Sequence, residues 1–211
     1  MKILSSVAVL GLVAAAPAVA SDIRDIHQVY SLSEARSVRV EIPAGSIRLE
    51  TISDRKVRAD LTVKCSGWSD RCVERAKRVE IVGGYENGTF VLRVEGMPKN
   101  NNHGMSLNGT VQVPRDLALD MQMGAGDLSL FGIEKDADVS LGAGDLGVHM
   151  RERAARSVNM EVGLGDATLR RPGERVSGRG FISKTLYWRG AGPADVRLHL
   201  GVGDINATLD E

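Results

Sequence analysis

The sequence predicts an all-β fold, a single-domain β-solenoid (β-helix-like) of repeats about 20 residues long. A tetrapeptide of the form Gly-x-Gly-Asp occurs four times in the second half of the 211-residue chain. Its aspartates, Asp127, Asp145, Asp166 and Asp204, stand 18, 21 and 38 residues apart, and 38 is two steps of 19. Apolar and polar side chains alternate around each copy, a pattern typical of half-buried strands.

The first 20 residues predict a cleaved signal peptide. Lys2 gives a positive start, residues 3–16 are apolar, and Ala18-Val19-Ala20 has the small residues of a cleavage site. Cleavage between Ala20 and Ser21 would release a periplasmic or secreted protein. No later apolar stretch approaches the roughly 20 residues of a membrane-spanning helix, so no membrane span is expected.

The mature chain is predicted to be one domain. Residues 21–36 would form an N-terminal lead-in or cap, and residues 37–211 a β-repeat domain with a disulfide-clasped insertion at 65–78. The two cysteines, Cys65 and Cys72, are expected to form a structural disulfide, because exported proteins mature in oxidising compartments. A metal pair or a redox dithiol would need closer spacing or further ligands.

Composition and motifs argue against several function classes. The chain has 27 basic and 27 acidic side chains, so nucleic acid is not an expected partner. The four histidines lie in no metal-ligand spacing, and no glycine-rich nucleotide motif opens a helix. The sequence therefore predicts no catalytic residues, no cofactor and no metal requirement.

The phase of the apolar residues predicts a corner at each tetrapeptide. Counted from the aspartate as position 0, positions −6, −4, −2, +1 and +3 are apolar in all four copies. If −2 and +1 both point inward, the alternation slips by one residue, which a straight strand does not allow. Glycine would supply the positive φ of such a corner, and the aspartate would accept nearby backbone N–H groups.

Two architectures fit this slip. In the solenoid each repeat is one coil, whereas in an antiparallel β-meander or sandwich each Gly-Asp is a hairpin loop. The solenoid is favoured because stacking explains why equivalent positions are identical. The long step from Asp166 to Asp204 then predicts a degenerate repeat with a corner near residue 185.

The repeats at 121–130, 139–148, 160–169 and 198–207, with the opening segment 38–47, carry a resemblance to a known family. The chain resembles the bacterial putative-adhesin family, exported β-solenoid proteins of largely unknown function. The resemblance covers nearly the whole mature chain and implies surface adhesion.

The aspartates are a candidate metal site. Stacked coils would place Asp127 beside Asp145, with Asp166 following, at about 4.8 Å. Two unit charges at that distance repel by about 0.9 kcal/mol in water, so a Ca²⁺ ladder over Asp127, Asp145, Asp166 and Asp204 is one hypothesis. A solvated, self-capped turn is the favoured alternative.

Two further surfaces are candidates for binding. Phe181, Tyr187 and Trp188 could form an exposed ligand platform, although filling an irregular coil is the favoured interpretation. The last repeat runs to the end of the chain at Glu211, so an uncapped C-terminal coil is predicted to expose a strand edge for self-association.

The predicted function is a non-enzymatic exported or envelope β-solenoid, acting as a scaffold or adhesin-like interaction module. Its partner would be an envelope protein or a polysaccharide. The alternative is a carbohydrate-active β-helix enzyme, whose carboxyl groups would have to lie about 5–5.5 Å or 6.5–9.5 Å apart.

Overall fold

The structure of the protein, a computed structural model, describes residues 20–66, 70–97, 104–178 and 182–211. These residues form a single all-β domain with 14 strands and one short α-helix. Residues 1–19 of the predicted signal peptide, and Phe181, lie outside the described residues. No helix in the described ranges is long and apolar enough to cross a membrane.

The strands are numbered in chain order. Their bounds are β1 Ala20–Ser31, β2 Ser37–Ile52, β3 Lys56–Ser66, β4 Glu80–Glu86, β5 Thr89–Glu95, β6 Met105–Pro114, β7 Ala118–Phe131, β8 Ala137–Arg151, β9 Ala155–Leu164, β10 Ala167–Arg171, β11 Glu174–Ser177, β12 Lys184–Arg189, β13 Ala194–Val202 and β14 Ile205–Asp210. Helix α1 covers Asp70–Ala76.

The strands form one large mixed sheet with two halves that meet at the Gly-x-Gly-Asp corners. Before the corners the strand order is β4-β5-β2-β7-β8-β13-β9-β12, and we call this part the first half. After the corners the order is β1-β3-β6-β2-β7-β8-β14-β10-β11, the second half. Strands β2, β7 and β8 run through both halves.

Neighbouring repeats pair in parallel and in register. Strands β7 and β8 align Gly126 with Gly144 and Asp127 with Asp145, and each strand continues through its corner. The hairpin alternative is therefore wrong, because no Gly-Asp pair reverses the chain into an antiparallel neighbour. Antiparallel pairs instead join β1, β3 and β6, β4 and β5, β9 and β12, and β10 and β11.

The strand order departs from the order of the chain. The last repeat, β13 and β14, lies between the repeats of β8 and of β9 and β10. The corner expected near residue 185 is wrong, because β12 pairs antiparallel with β9 and lies at the edge of the first half. The uncapped C-terminal coil is also wrong, because β13 and β14 each have neighbours on both sides.

The burial pattern corrects the predicted phase of the corner. Positions −6, −4, +1 and +3 are buried in all four copies, and they belong to one hydrophobic core that contains residues of both halves. Position −2 is not inward in these copies: Leu164 is 54% exposed and Val202 51%. The slip therefore lies between positions −4 and +1, where the second glycine of each copy has a positive φ.

The predicted disulfide is confirmed. Cys65 at the end of β3 and Cys72 in α1 are bonded, with their Cα atoms 6.1 Å apart. Both side chains are buried in the core, beside Ala76 of the same helix. The bond therefore ties the helix to the sheet, and it indicates a protein of an oxidising compartment, extracellular or in the envelope.

Candidate functional site

The corner row consists of the residues that neighbouring strands place at the corner. Its members, in spatial order, are Asn108, Ser46, Asp127, Asp145, Asp204 and Asp166. Asp127 and Asp145 are neighbours as predicted. The prediction that Asp166 follows Asp145 is wrong, because the last repeat places Asp204 between them.

Side-chain oxygens bond the backbone at both ends of the corner row. Asp204 Oδ1 accepts the Asp166 N–H at 2.8 Å, and Asn108 Oδ1 accepts the Ser46 N–H at 3.3 Å. Lys184 forms an ion pair with Asp166. Among the described residues, no group of three or more His, Cys, Asp or Glu side chains could hold a metal ion. The Ca²⁺ ladder stays a prediction.

A groove of about 1260 Å³ lies on the outer face of the first half. We call it the outer groove. It crosses β2, β7, β8, β13 and β9 at positions −5 to −3 of their repeats, so its axis runs across the strands. Arg93 and Glu95 of β5 border one end, and Ser183 borders the other.

Glycines keep the floor of the outer groove free of side chains. Position −3 holds Gly124, Gly142, Gly201 and Gly163 on consecutive strands after Pro43 of β2. A Cβ atom on any of these glycines would lie 2.4–2.5 Å from the carbonyl oxygen of the neighbouring strand. The close approach of the backbones therefore explains why this position is glycine in every copy.

Polar side chains at position −5 line the groove. Their order across the strands is Glu41, Gln122, Ser140, His199 and Glu161. His199 Nδ1 lies 3.3 Å from Glu161 Oε2, so the β9 end carries a paired acid and imidazole. The middle of the row is uncharged, with an amide and a hydroxyl that can both donate and accept hydrogen bonds.

On β2, β7 and β8 of the second half, outward side chains pack against each other. The Arg48 guanidinium lies 3.7 Å from the centroid of the Phe131 ring. The Phe131 ring stacks on the His149 ring at 4.8 Å between centroids, with planes 2° apart. These three side chains of β2, β7 and β8 contact each other in the second half, whereas the same three strands border an open groove in the first half.

The predicted aromatic platform is divided between two sides of β12. Tyr187 is 59% exposed on the outer face, while Trp188 is half-buried and packs against the core. Tyr187 therefore stays a candidate binding residue. The corner interpretation of the tetrapeptide does not predict the outer groove, whose signal in the sequence is the first glycine of each copy.

Comparisons with known proteins give one family and two solved structures. The family model described as "N-terminal domain of toast_rack, DUF2154" matches residues 20–170. The chain is similar to a putative cell adhesion protein from Clostridium sporogenes, with 15% identity, a TM-score of 0.47, and 89% of this chain and 100% of that chain covered. It is also similar to a putative adhesin from Bacteroides fragilis, with 13% identity, a TM-score of 0.29, and 87% and 97% covered. No curated protein matches.

Proposed function

The chain belongs to the family described as the N-terminal domain of toast_rack, and we propose that it is a non-enzymatic, adhesin-like interaction module of the cell envelope. The membership confirms the resemblance to the putative-adhesin family on which the sequence prediction rested. The proposed module binds an extended chain of an envelope polysaccharide or protein in the outer groove.

The observation that carries this proposal is the continuity of the outer groove over five strands. At about 4.8 Å between strands, the groove is roughly 19 Å long. That length accommodates about six residues of an extended polypeptide. A side-chain-free floor beside a polar row suits a chain that offers hydrogen-bonding groups along its length.

The repeat region is proposed to be a short β-solenoid whose rungs are the units of β2, β7, β8, β13–β14 and β9–β10. The parallel, in-register pairing of β2, β7 and β8 supports it. The last unit in the chain, β13–β14, lies before β9–β10 in the stack, so the order of the last two rungs differs from their order in the sequence.

Export is proposed to proceed through cleavage between Ala20 and Ser21. The disulfide between Cys65 and Cys72 supports an oxidising destination, in the periplasm or outside the cell. The family match beginning at residue 20 is consistent with a mature domain that starts there.

Blocking the groove tests the proposal. Ser140 lies in the middle of the polar row, on β8, and Ser140→Trp would fill the groove there. We expect the purified protein to sediment with isolated cell envelopes and Ser140→Trp to reduce the bound fraction at least fivefold. Thr208→Trp, on β14 in the second half, is the control and should bind like the unsubstituted protein.

Two results would contradict the proposal. Equal binding of the Ser140→Trp and Thr208→Trp variants would exclude the outer groove as the binding surface. Release of reducing ends from an envelope polysaccharide by the purified protein, lost in Ser140→Trp, would instead establish the enzyme alternative.

A further inference from the structure

A second cavity lies on the same outer face, at the β9 and β12 side. It has a volume of about 550 Å³ and is lined by two rows of register partners on β13, β9 and β12. The rows are Arg197, Asn159 and Tyr187, and Asp195, Ser157 and Arg189; Arg156 completes the lining. We call this cavity the arginine pocket.

One arginine and the acidic residue of the pocket neutralise each other. Arg156 Nε donates to Asp195 Oδ1 at 2.9 Å, and Arg156 Nη2 donates to Asp195 Oδ2. Ser157 Oγ donates to the same carboxylate at 2.6 Å. The hydrogen bonds from Arg156 first, and then from Ser157, hold the pKa of Asp195 well below its usual range. The Asp195 carboxylate is therefore ionised, and its oxygens already accept hydrogen bonds from Arg156 and Ser157.

The two remaining arginines have donors to spare. Arg189 Nε donates to the Tyr187 hydroxyl at 3.2 Å, and no ion pair to Arg189 is found in the part of the chain that the structure describes. Arg197 Nη1 approaches Asp138 Oδ2 only at 3.5 Å. Each guanidinium carries five N–H donors in a planar fork, which matches a carboxylate. Among the lining residues, three arginines stand against one aspartate, and Asp138 of the neighbouring strand pairs with Arg197. Arg189 is therefore the guanidinium of the pocket that has no ion pair among the described residues.

An exposed ring adjoins these donors. Tyr187 is 59% exposed and lies beside Asn159 in the outer row. The Arg189 guanidinium carbon is 6.0 Å from the centre of the Tyr187 ring. An aromatic face with a hydroxyl rim suits a ligand that is apolar on one face and polar at its edge, and a pyranose ring has this character.

We propose that the arginine pocket binds a uronic acid unit of an acidic polysaccharide. Arg189 and Arg197 bind its carboxylate, Tyr187 packs against the sugar ring, and Asn159 bonds a ring hydroxyl. This inference rests on the proposed function and names the polymer class. The pocket adjoins the outer groove, because Arg197 and Asn159 are two residues before His199 and Glu161 on the same strands.

Binding of a polygalacturonate oligosaccharide to the purified protein tests the inference by calorimetry. We expect a saturable one-site isotherm that weakens at least tenfold in the double variant Arg189→Gln and Arg197→Gln. Tyr187→Ala should weaken binding at least fivefold. The same oligosaccharide with its carboxyl groups reduced to alcohols should bind no better than the double variant does.

Arg170→Gln is the matched control. Arg170 is exposed on β10 in the second half and faces Arg175 of β11 in register, so its surroundings are also basic. It should change the dissociation constant less than twofold. Equal weakening by Arg170→Gln and Arg189→Gln would mean unspecific charge attraction and would overturn the site.

Failure of this inference is distinguishable from failure of the proposed function. If no acidic oligosaccharide binds, or if the carboxyl-reduced one binds equally, the pocket assignment is wrong. A preserved contrast between Ser140→Trp and Thr208→Trp on cell envelopes would then leave the groove as a binding surface for another polymer.

Discussion

In the middle of the corner row, Asp127 and Asp145 stand side by side in register, whereas at the ends a side-chain oxygen bonds the next strand. Asp204 accepts the N–H of Asp166, and Asn108 accepts that of Ser46. Among the described residues, no hydrogen bond to the Asp127 or Asp145 side chain is found. The same tetrapeptide therefore gives its aspartate different contacts at different positions.

The glycine before the aspartate does not vary in this way. Gly144 in the middle has a φ of 129°, and Gly165 at the end has 138°. A Cβ atom at Gly144 would lie 1.9 Å from the carbonyl oxygen of Gly126, and one at Gly165 would lie 1.7 Å from that of Gly203. The glycine before the aspartate is thus required for steric reasons at both positions. The role of the aspartate itself depends on its neighbours.

The largest effect is expected from Gly144→Ala. Backbone strain and overpacking together should lower the free energy of unfolding by roughly 4 kcal/mol. Gly165→Ala should cost a similar amount, because both glycines face a carbonyl oxygen at less than 2 Å. Urea denaturation of the purified variants measures both values.

Gly173→Ala is the control for backbone strain alone. Gly173 has a φ of 74°, and nothing lies within 4 Å of a Cβ atom built on it. We expect a loss of about 1 kcal/mol. If Gly144→Ala cost no more than this, the close approach between neighbouring corners would not be a source of specificity in the fold.

A smaller effect separates the ends of the row from its middle. Asp204→Ala removes the acceptor of the Asp166 N–H and should lower the free energy of unfolding by about 1 kcal/mol. Asp145→Ala removes no such bond and should not destabilise the protein. Thermal unfolding of the two variants at equal salt concentration measures the difference. An equal loss of stability in both would contradict the distinction between the ends of the row and its middle.

The local part of the fold could be predicted from the sequence. Alternating apolar residues identify the strands, the paired cysteines identify the disulfide, and the glycines identify the corners, because each of these features depends on near neighbours in the chain. Position −2 is the exception, because apolar residues such as Val202 and Leu164 look like core positions in the sequence but are more than half exposed in the structure.

The strand order could not be predicted in the same way. Equivalent repeats have the same local pattern, so nothing local decides whether β9 or β13 pairs with β8. In the structure, β12 pairs antiparallel with one side of β9, and β13 pairs in parallel with the other side. The outer groove and the arginine pocket depend on this order, because His199 and Arg197 of the last repeat lie between residues of two earlier ones.

The smallest effect should differ in sign between the middle and the end. Asp145 lies between Asp127 and Asp204, so Asp145→Asn removes repulsion between like charges and should raise the free energy of unfolding by roughly 0.5 kcal/mol at low salt. Asp166→Asn removes the ion pair with Lys184 and should lower it by a similar amount. Both effects should shrink at 1 M salt because the charges are exposed and screened.

The free energy of unfolding in millimolar Ca²⁺ tests whether the middle of the corner row binds a cation. If Ca²⁺ stabilises the unsubstituted protein more than it stabilises Asp145→Asn, the middle of the row is a cation ladder. If Ca²⁺ affects both proteins equally, the middle of the row is a series of solvated turns.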